Sequence, residues 1–299
     1  MKVVTRITFW DSNGNKFFGE GPARLLRAIE EHGSLRSAAI SMDMAYTKAL
    51  KLLKNAEAAL GFPLTTRTSG GKSGGGSLLT PEGKAWLSRY EAYRNACAEK
   101  NLQMFRQFFP KVGCVIMASG LGKRFGGNKL MADFHGKPMI QQALQASNGL
   151  KEHRVVVTRH EDVAELCRKQ GVNVVLHALP HRSDTVRLGL EALSDVDACL
   201  FLPADQPLLR QETVAALVQA WESEQESILR PFHKDTPGSP VIFPRWAFPE
   251  LRTLPEGKGG GWVIQKYPER VKGFPVEYPH ELMDADTPET LDFLRKCKR

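Results

Sequence analysis

The chain has 299 residues, 42% hydrophobic and 25% charged; this is long for one domain, and no apolar run reaches the roughly 20 residues that a bilayer span needs. Five scattered cysteines (Cys97, Cys114, Cys167, Cys199, Cys297) without a C-x-x-C argue against a disulfide framework or zinc site, and an N-terminus without an apolar leader predicts a cytoplasmic protein with no membrane partner. The net charge of +8 is concentrated in residues 1–110, which hold 16 Lys+Arg against 9 Asp+Glu while 111–299 hold 25 against 24, so either the first third meets a polyanion or its surplus is a solvated face.

Taken in chain order, Ile7 and Phe9 alternate with polar neighbours, Asp11-Ser12-Asn13-Gly14-Asn15 turns, and Phe17-Phe18 returns, which predicts a β-hairpin. A helix follows Gly21-Pro22 with Leu25, Leu26 and Ile29 on one face and Gly33 as its stop. Ser34 caps a short helix, and a second over 46–60 turns Leu50, Leu53 and Ala56 inward and Lys48, Lys51 and Lys54 outward, the helix-turn-helix pattern. Two short β segments flanking the basic, glycine-rich stretch 69–76 read as a wing, with Arg67 and Lys72 supplying charge to a phosphate chain. A long helix over 81–109 carries Trp86, Tyr90, Tyr93, Cys97, Met104 and Phe108 as a stripe that suits packing or the seam of a homodimer.

At Lys111 strands and helices begin to alternate: strands over 112–118, 154–158, 173–176 and 198–202, with helices near 138, over 162–170 and over 183–193. The pattern predicts an α/β, Rossmann-like domain over 111–299, mostly parallel with helices on both faces, preceded by a winged helix-turn-helix over 1–110. Ligands of such sheets bind beyond the carboxyl ends of the strands. There Ala118-Ser119-Gly120-Leu121-Gly122-Lys123-Arg124-Phe125-Gly126-Gly127-Asn128-Lys129 offers several unhindered N–H groups and three cations, which suits a triphosphate; a glycine-rich surface turn is the plainer reading. It is neither a Walker A loop nor a dinucleotide fingerprint. The strand ending Pro203-Ala204-Asp205-Gln206-Pro207 places a carboxylate that serves either as a ligand of Mg²⁺ or as a helix cap. In Asp284-Ala285-Asp286-Thr287-Pro288, Asp286 completes a metal site or precedes a helix start. His160, His177, His181 and His233 read as surface or core histidines.

The ordered set A-x-G-x-G-x-R-F-G-x-x-K, G-K-P, D-Q-P, G-x-P and D-x-D-T-P, spread over 112–296, resembles the molybdenum-cofactor nucleotidylyltransferases of the MobA type. The resemblance implies transfer of a nucleoside monophosphate to molybdopterin with release of pyrophosphate. It implies that Arg124 and Lys129 bind the triphosphate beside Ala118, Ser119, Gly120, Gly122 and Lys123, that Asp205 ligates Mg²⁺, and that Gly238-Ser239-Pro240 borders the pterin. Asp205-Gln206-Pro207, Asn128 before the lysine, and Asp184-Thr185 within 182–190 resemble the cytidylyl branch, which implies CTP rather than GTP, although 182–190 also reads as an ordinary capped helix. Ser119 stands where the family usually has Ala or Gly, and Glu256-Gly257-Lys258-Gly259-Gly260-Gly261 replaces its commoner G-D-x-G-A-R, which leaves another phosphorylated acceptor open.

In the first third, Gly19-Glu20-Gly21, Gly33-Ser34, Ala38-Ala39, Met44-Ala45-Tyr46, the glycine stretch and Leu79-Thr80-Pro81-Glu82-Gly83 resemble the ModE-type winged helix of molybdate-responsive regulators, a relative of the LysR-type DNA-binding domain. The resemblance implies that Tyr46, Thr47, Lys48 and Lys51 face the major groove of DNA and that Arg67 and Lys72 meet its backbone. The chain therefore reads as a Mg²⁺-dependent CTP:molybdopterin cytidylyltransferase with a DNA-binding domain; a regulator whose second domain senses nucleotide without turnover is the alternative.

Overall fold

The computed structural model describes residues 3–68, 76–122, 124–193 and 195–297, and the chain divides into two compact units, Met1–Phe105 and Arg106–Arg299. In the first, β1 (Thr8–Trp10) and β2 (Lys16–Gly19) form an antiparallel hairpin with Phe9 opposite Phe18. Asp11 builds its turn, because Oδ1 accepts the backbone N–H groups of Asn13 at 2.9 Å and Asn15 at 2.7 Å. Helix α1 (Glu20–His32) buries Leu25, Leu26 and Ile29 and stops at Gly33, where φ is +68°. Ser34 caps α2 (Leu35–Ser41) by accepting the Ser37 N–H at 3.0 Å.

Helix α3 (Tyr46–Leu60) buries Ala49, Leu53 and Ala56, spaced by four and three residues. Leu50, expected inward, lies one residue to the side of that line and is only partly buried. Strands β3 (Thr65–Thr68) and β4 (Gly76–Leu79) pair antiparallel; the glycine-rich segment expected between them, with Lys72, lies outside the described residues. On α4 (Pro81–Phe108) the aromatic stripe divides: Trp86 and Tyr90 meet Phe18 edge-on at 5.6 and 5.0 Å, whereas Tyr93, Met104 and Phe108 are exposed.

The second unit runs β5 (Val112–Ala118), β6 (Asp133–Phe134), β7 (Lys137–Pro138), α5 (Ile140–Ala146), β8 (Arg154–Thr158), α6 (Glu161–Lys169), β9 (Asn173–Leu176), α7 (Arg182–Ala192) and β10 (Ala198–Pro203). It continues through α8 (Gln211–Glu222), β11 (Ile228–His233), β12 (Thr236–Pro237), β13 (Val241–Pro244), α9 (Phe248–Arg252), α10 (Gly261–Lys266), β14 (Val271–Pro275) and α11 (Pro288–Lys296). The sheet order is β12-β11-β13-β10-β5-β8-β9, with β14 alongside β11. Strands β10, β5, β8 and β9 are mutually parallel, and β13 lies antiparallel between β10 and β11. Alternate residues of β5 serve opposite faces: Ile116 packs with Phe134 and Leu200, Val115 with Val157 and Leu190.

Strand addition moves outward from β5 to β8 and β9, then returns to place β10 on the other flank of β5. Such a reversal opens a crevice beyond the carboxyl ends of the two strands. Cys114, Cys167 and Cys199 are buried and unpaired, and burial pushes the Cys114 thiol up to about 12 and that of Cys167 to about 11. Among the described residues no helix is long and apolar enough to cross a membrane.

Candidate active site

Beyond Ala118 the chain leaves β5 and coils back on itself, with the N–H groups of Phe125 and Gly126 donating to the Gly122 carbonyl at 2.9 and 3.1 Å. Gly122 at φ +58° and Gly126 at φ +78° occupy the left-handed region where a side chain is disfavoured. Asn128 ends the loop: its Oδ1 accepts the Leu130 N–H at 3.2 Å, and its Nδ2 donates to the Asp162 carboxylate at 2.8 and 2.9 Å.

This fold delivers Lys129, only 8% exposed, to two carboxylates. Its Nζ donates to Asp205 Oδ2 at 2.5 Å and to Asp286 Oδ1 at 2.9 Å, while Arg124 Nη2 lies 3.1 Å from Asp286 Oδ2. The segment bearing Asp286 is tied to the end of β10 by the Ala285 N–H, which donates to the Asp205 carbonyl at 2.8 Å. Burial opposes the charge on Lys129, but Asp205 and Asp286 outweigh it and hold the ammonium above its ordinary value. Lys129 in turn holds the Asp286 carboxyl below the usual carboxylate range. Asp284 behaves oppositely, raised by burial and then by Asp205, although it accepts the Gln206 side-chain N–H at 3.0 Å. Neither Asp205 nor Asp286 serves as a helix cap, since Arg210 precedes α8 and the Thr287 hydroxyl caps α11.

Around this cluster lies a cleft of about 620 Å³ at the switch between β5 and β10. Of the residues expected here, Ser119, Gly120, Gly122, Arg124, Lys129, Thr185, Asp205, Ser239 and Asp286 line it. Thr185 is 2% exposed, and its Oγ1 has no hydrogen-bond partner among the described residues. A contiguous cleft of about 470 Å³ shares Met117, Arg182, Pro203, Ser239 and Asp284 with the first and adds Arg230, Lys258, Phe243 and Trp262.

Four expected residues fall elsewhere. Ala118 is wholly buried, its carbonyl taken by the Thr158 hydroxyl at 3.0 Å. Asp184 is consumed locally: its carboxylate accepts the His181 N–H at 3.1 Å, closing a capping box at the start of α7, and pairs with Arg187 at 3.5 Å. Gly238 faces Leu282 and pairs through its backbone N–H with the Pro231 carbonyl, and Pro240 is buried. Lys123 lies outside the described residues.

Residues 114–271, more than half of the chain, match the family described as MobA-like NTP transferase domain. The chain belongs to that family. The MobA-like domain is preceded by residues 23–84, which match the bacterial regulatory helix-turn-helix protein, lysR family. A 3-deoxy-manno-octulosonate cytidylyltransferase of Neisseria meningitidis is 34% identical over 96 residues, 29% of this chain and 36% of the relative. The chain thus spans about a third of the length of the first curated relatives that it matches. Among solved structures, Rv0371c of Mycobacterium tuberculosis H37Rv in complex with manganese superimposes with a TM-score of 0.53 at 18% identity, covering 63% of this chain and all of that one. The molybdopterin-guanine dinucleotide biosynthesis protein A of Archaeoglobus fulgidus does so at 0.50 and 20%, covering 62% and 97%. These likenesses concern the fold.

In the MobA-like domain the cleft is also lined by Arg159, Pro180 and His181, which the sequence motifs did not single out, and by Arg182 and Asp284 from the segments 182–190 and 284–288. Arg159 stands directly after β8, at the same carboxyl edge that marked Ala118 and Asp205, so the edge rule alone would have found it. In the helix-turn-helix unit, Tyr46, Thr47, Lys48 and Lys51 are exposed on α3, and Arg67 is exposed on β3.

Proposed function

We propose that this chain transfers the cytidylyl group of CTP to the phosphate of molybdopterin and releases pyrophosphate. The observation that carries the proposal is the cluster of Lys129 with Asp205, Asp286 and Arg124 at the mouth of the crevice between β5 and β10. Cations on the glycine loop face carboxylates at the opposite strand end, the arrangement a triphosphate with its counter-ion requires.

No group of three His, Cys, Asp or Glu side chains that could hold a metal by itself occurs among the described residues. Asp205 and Asp286 nonetheless fit Mg²⁺, since their oxygens already share one cationic atom at 2.5 and 2.9 Å and Mg²⁺ is commonly held by one or two carboxylates, its other positions filled by phosphate and water. When bound, the ion would neutralise charge on the phosphate oxygens. Arg124 and Lys129 bind the triphosphate oxygens, and the N–H groups of Gly120 and Gly122 approach it without side-chain bulk. Thr185 Oγ1, unpartnered and buried, is available to the base, and Ser239 borders both clefts and so faces the acceptor. No general base is required, because a phosphate acceptor is already ionised near neutral pH.

The first unit binds DNA in this reading, with Tyr46, Thr47, Lys48 and Lys51 toward the major groove and Arg67 toward the phosphates; its match to a regulatory helix-turn-helix family supports this. The exposed Tyr93, Leu102 and Met104 of α4 support a homodimer. A triphosphate substrate and a DNA partner place the protein in the cytoplasm.

A second reading is favoured by the match to a sugar-acid cytidylyltransferase and by the Glu256-Gly257-Lys258-Gly259-Gly260-Gly261 segment beside Arg182: CTP is retained and the acceptor differs. Pyrophosphate release, measured with each of four nucleoside triphosphates, Mg²⁺, and either molybdopterin or 3-deoxy-manno-octulosonate, separates the two. Absence of pyrophosphate with every pairing leaves a nucleotide-sensing regulator.

A further inference from the structure

We infer that His177 is a positioning residue for nucleotide binding: a neutral imidazole with its proton on Nε2, it fastens the segment leading from β9 to the cleft residues Pro180 and His181 to the glycine loop through the Ser119 hydroxyl. The inference rests on the nucleotide reading of the cleft.

The hydrogen-bond directions follow from one contact. The backbone N–H of Leu179 points at His177 Nδ1 at 3.2 Å. An N–H donor requires a lone pair, so Nδ1 is bare and the neutral ring carries its proton on Nε2. Nε2 lies 2.9 Å from Ser119 Oγ and therefore donates to it. The serine proton goes on to the Val157 carbonyl at 3.1 Å, which completes the chain with every donor matched to an acceptor.

A second tie runs parallel to the first. Arg159 Nε donates to the Ser119 carbonyl at 3.0 Å, and its Nη1 reaches the Leu179 and Pro180 carbonyls at 3.4 Å each. Ser119 is thus joined to the 177–180 segment by its side chain and its backbone. Both ends matter, because Ser119 and Gly120 line one side of the cleft and Pro180, His181, Arg182 and Thr185 line the other. The two ties set the separation of those walls. A hydroxyl at 119 is what gives the imidazole a partner; alanine or glycine there has none.

Protonation reverses the geometry at Nδ1, since an imidazolium presents N–H toward the Leu179 N–H. The charged groups facing the ring are Arg159, Arg187 and Asp184. Burial first and Arg159 next hold His177 below 6.5, Asp184 opposes them, and Arg187 lowers it again. The ring is therefore neutral at pH 7, and as pH falls through that lowered value the Leu179 contact is lost, which loosens the segment although Nε2–H can still donate to Ser119.

The test uses the full chain. Dissociation constants for CTP, GTP, ATP and UTP are measured by calorimetry between pH 5 and 8 for the wild type, Ser119→Ala, His177→Ala, the double variant and His177→Gln. Imidazole ¹⁵N shifts report the tautomer independently of nucleotide. The inference expects affinity for the preferred nucleotide to fall roughly three- to tenfold in each alanine variant, as for loss of one hydrogen bond, with the double variant no worse than either single one. In His177→Gln the side-chain amide can still donate to Ser119 but does not titrate, so near-wild-type affinity without the acid-side weakening is expected. Wild-type binding by both alanine variants, or a proton on Nδ1 at pH 7.5, overturns the inference alone. Failure of every nucleotide to bind the wild type overturns the enzymatic reading, and the role of His177 with it.

Discussion

A β-carbon placed on Gly122 would lie 2.1 Å from the carbonyl oxygen of Gly127. Real β-carbons do not approach so closely, and φ at Gly122 is +58°, so strain and collision act together. Gly122→Ala is expected to open the loop and weaken nucleotide binding at least tenfold, because the N–H groups no longer converge. The melting temperature should move little, since the loop is exposed. Calorimetric titration with CTP beside a thermal melt checks both; unchanged affinity would show that the loop does not hold the phosphates.

Removing the cation from the carboxylate pair should be felt in turnover. Lys129→Met leaves Asp205 and Asp286 facing each other with only Arg124 at hand. The expected fall in pyrophosphate release is about 10²–10³-fold, typical for one group that stabilises transition-state charge. Lys129→Arg should restore little, because a planar guanidinium cannot replace a compact ammonium bonded at 2.5 and 2.9 Å to two carboxylates. Chelating divalent metal should abolish turnover in all forms, and adding Mg²⁺ back should restore each form to its own level.

These two clusters differ in how far they could be read in advance. The glycine loop and Asp205 were legible because each directly follows an apolar run that forms a parallel strand, and a strand end fixes a position in space. Pro180 and His181 were not, since they reach the cleft through the connection from β9 to α7, whose place is set by the strand order β5-β8-β9 rather than by sequence spacing. Asp184 takes the plainer of the two readings that 182–190 offered, because its carboxylate closes a local capping box at the start of α7. The extension over β11, β13 and β14, in which β13 runs antiparallel to β11 and β14 parallel to it, escaped the alternation rule because no long helix separates its strands.

In the first unit a pH-dependent ion pair links α1 to α4. Arg27 Nε donates to Glu91 Oε1 at 2.9 Å, and its Nη2 donates to Glu91 Oε2. Arg27 holds the Glu91 carboxyl below its ordinary 4.5. The unfolded chain therefore binds the proton first: the stabilisation is fully present above 4.5 and is lost as pH falls through the lowered value. Glu91→Gln should cost about 0.5–1 kcal/mol at pH 7 and less at pH 3. Urea unfolding at the two pH values checks the sign.

If α3 enters a DNA groove, salt should expose it. Replacing Lys48 and Lys51, both exposed, with alanine removes two cations without touching Ala49 or Leu53 in the core. The slope of log affinity against log salt should flatten by about 1.8 if both meet phosphates. Fluorescence anisotropy with a labelled duplex from 50 to 300 mM salt measures it, and an unchanged slope would place the DNA surface elsewhere.

In the proposed reading the second cleft takes the acceptor, and the glycine segment 257–261 lines it. A β-carbon at Gly260 would sit 2.6 Å from the ring of Phe243, and one at Gly259 would sit 3.1 Å from Arg182 Nε. In that reading a single methyl added there would displace Phe243 or Arg182, both lining residues, and so reshape the cavity offered to the acceptor, a short mutational route from one cargo to another.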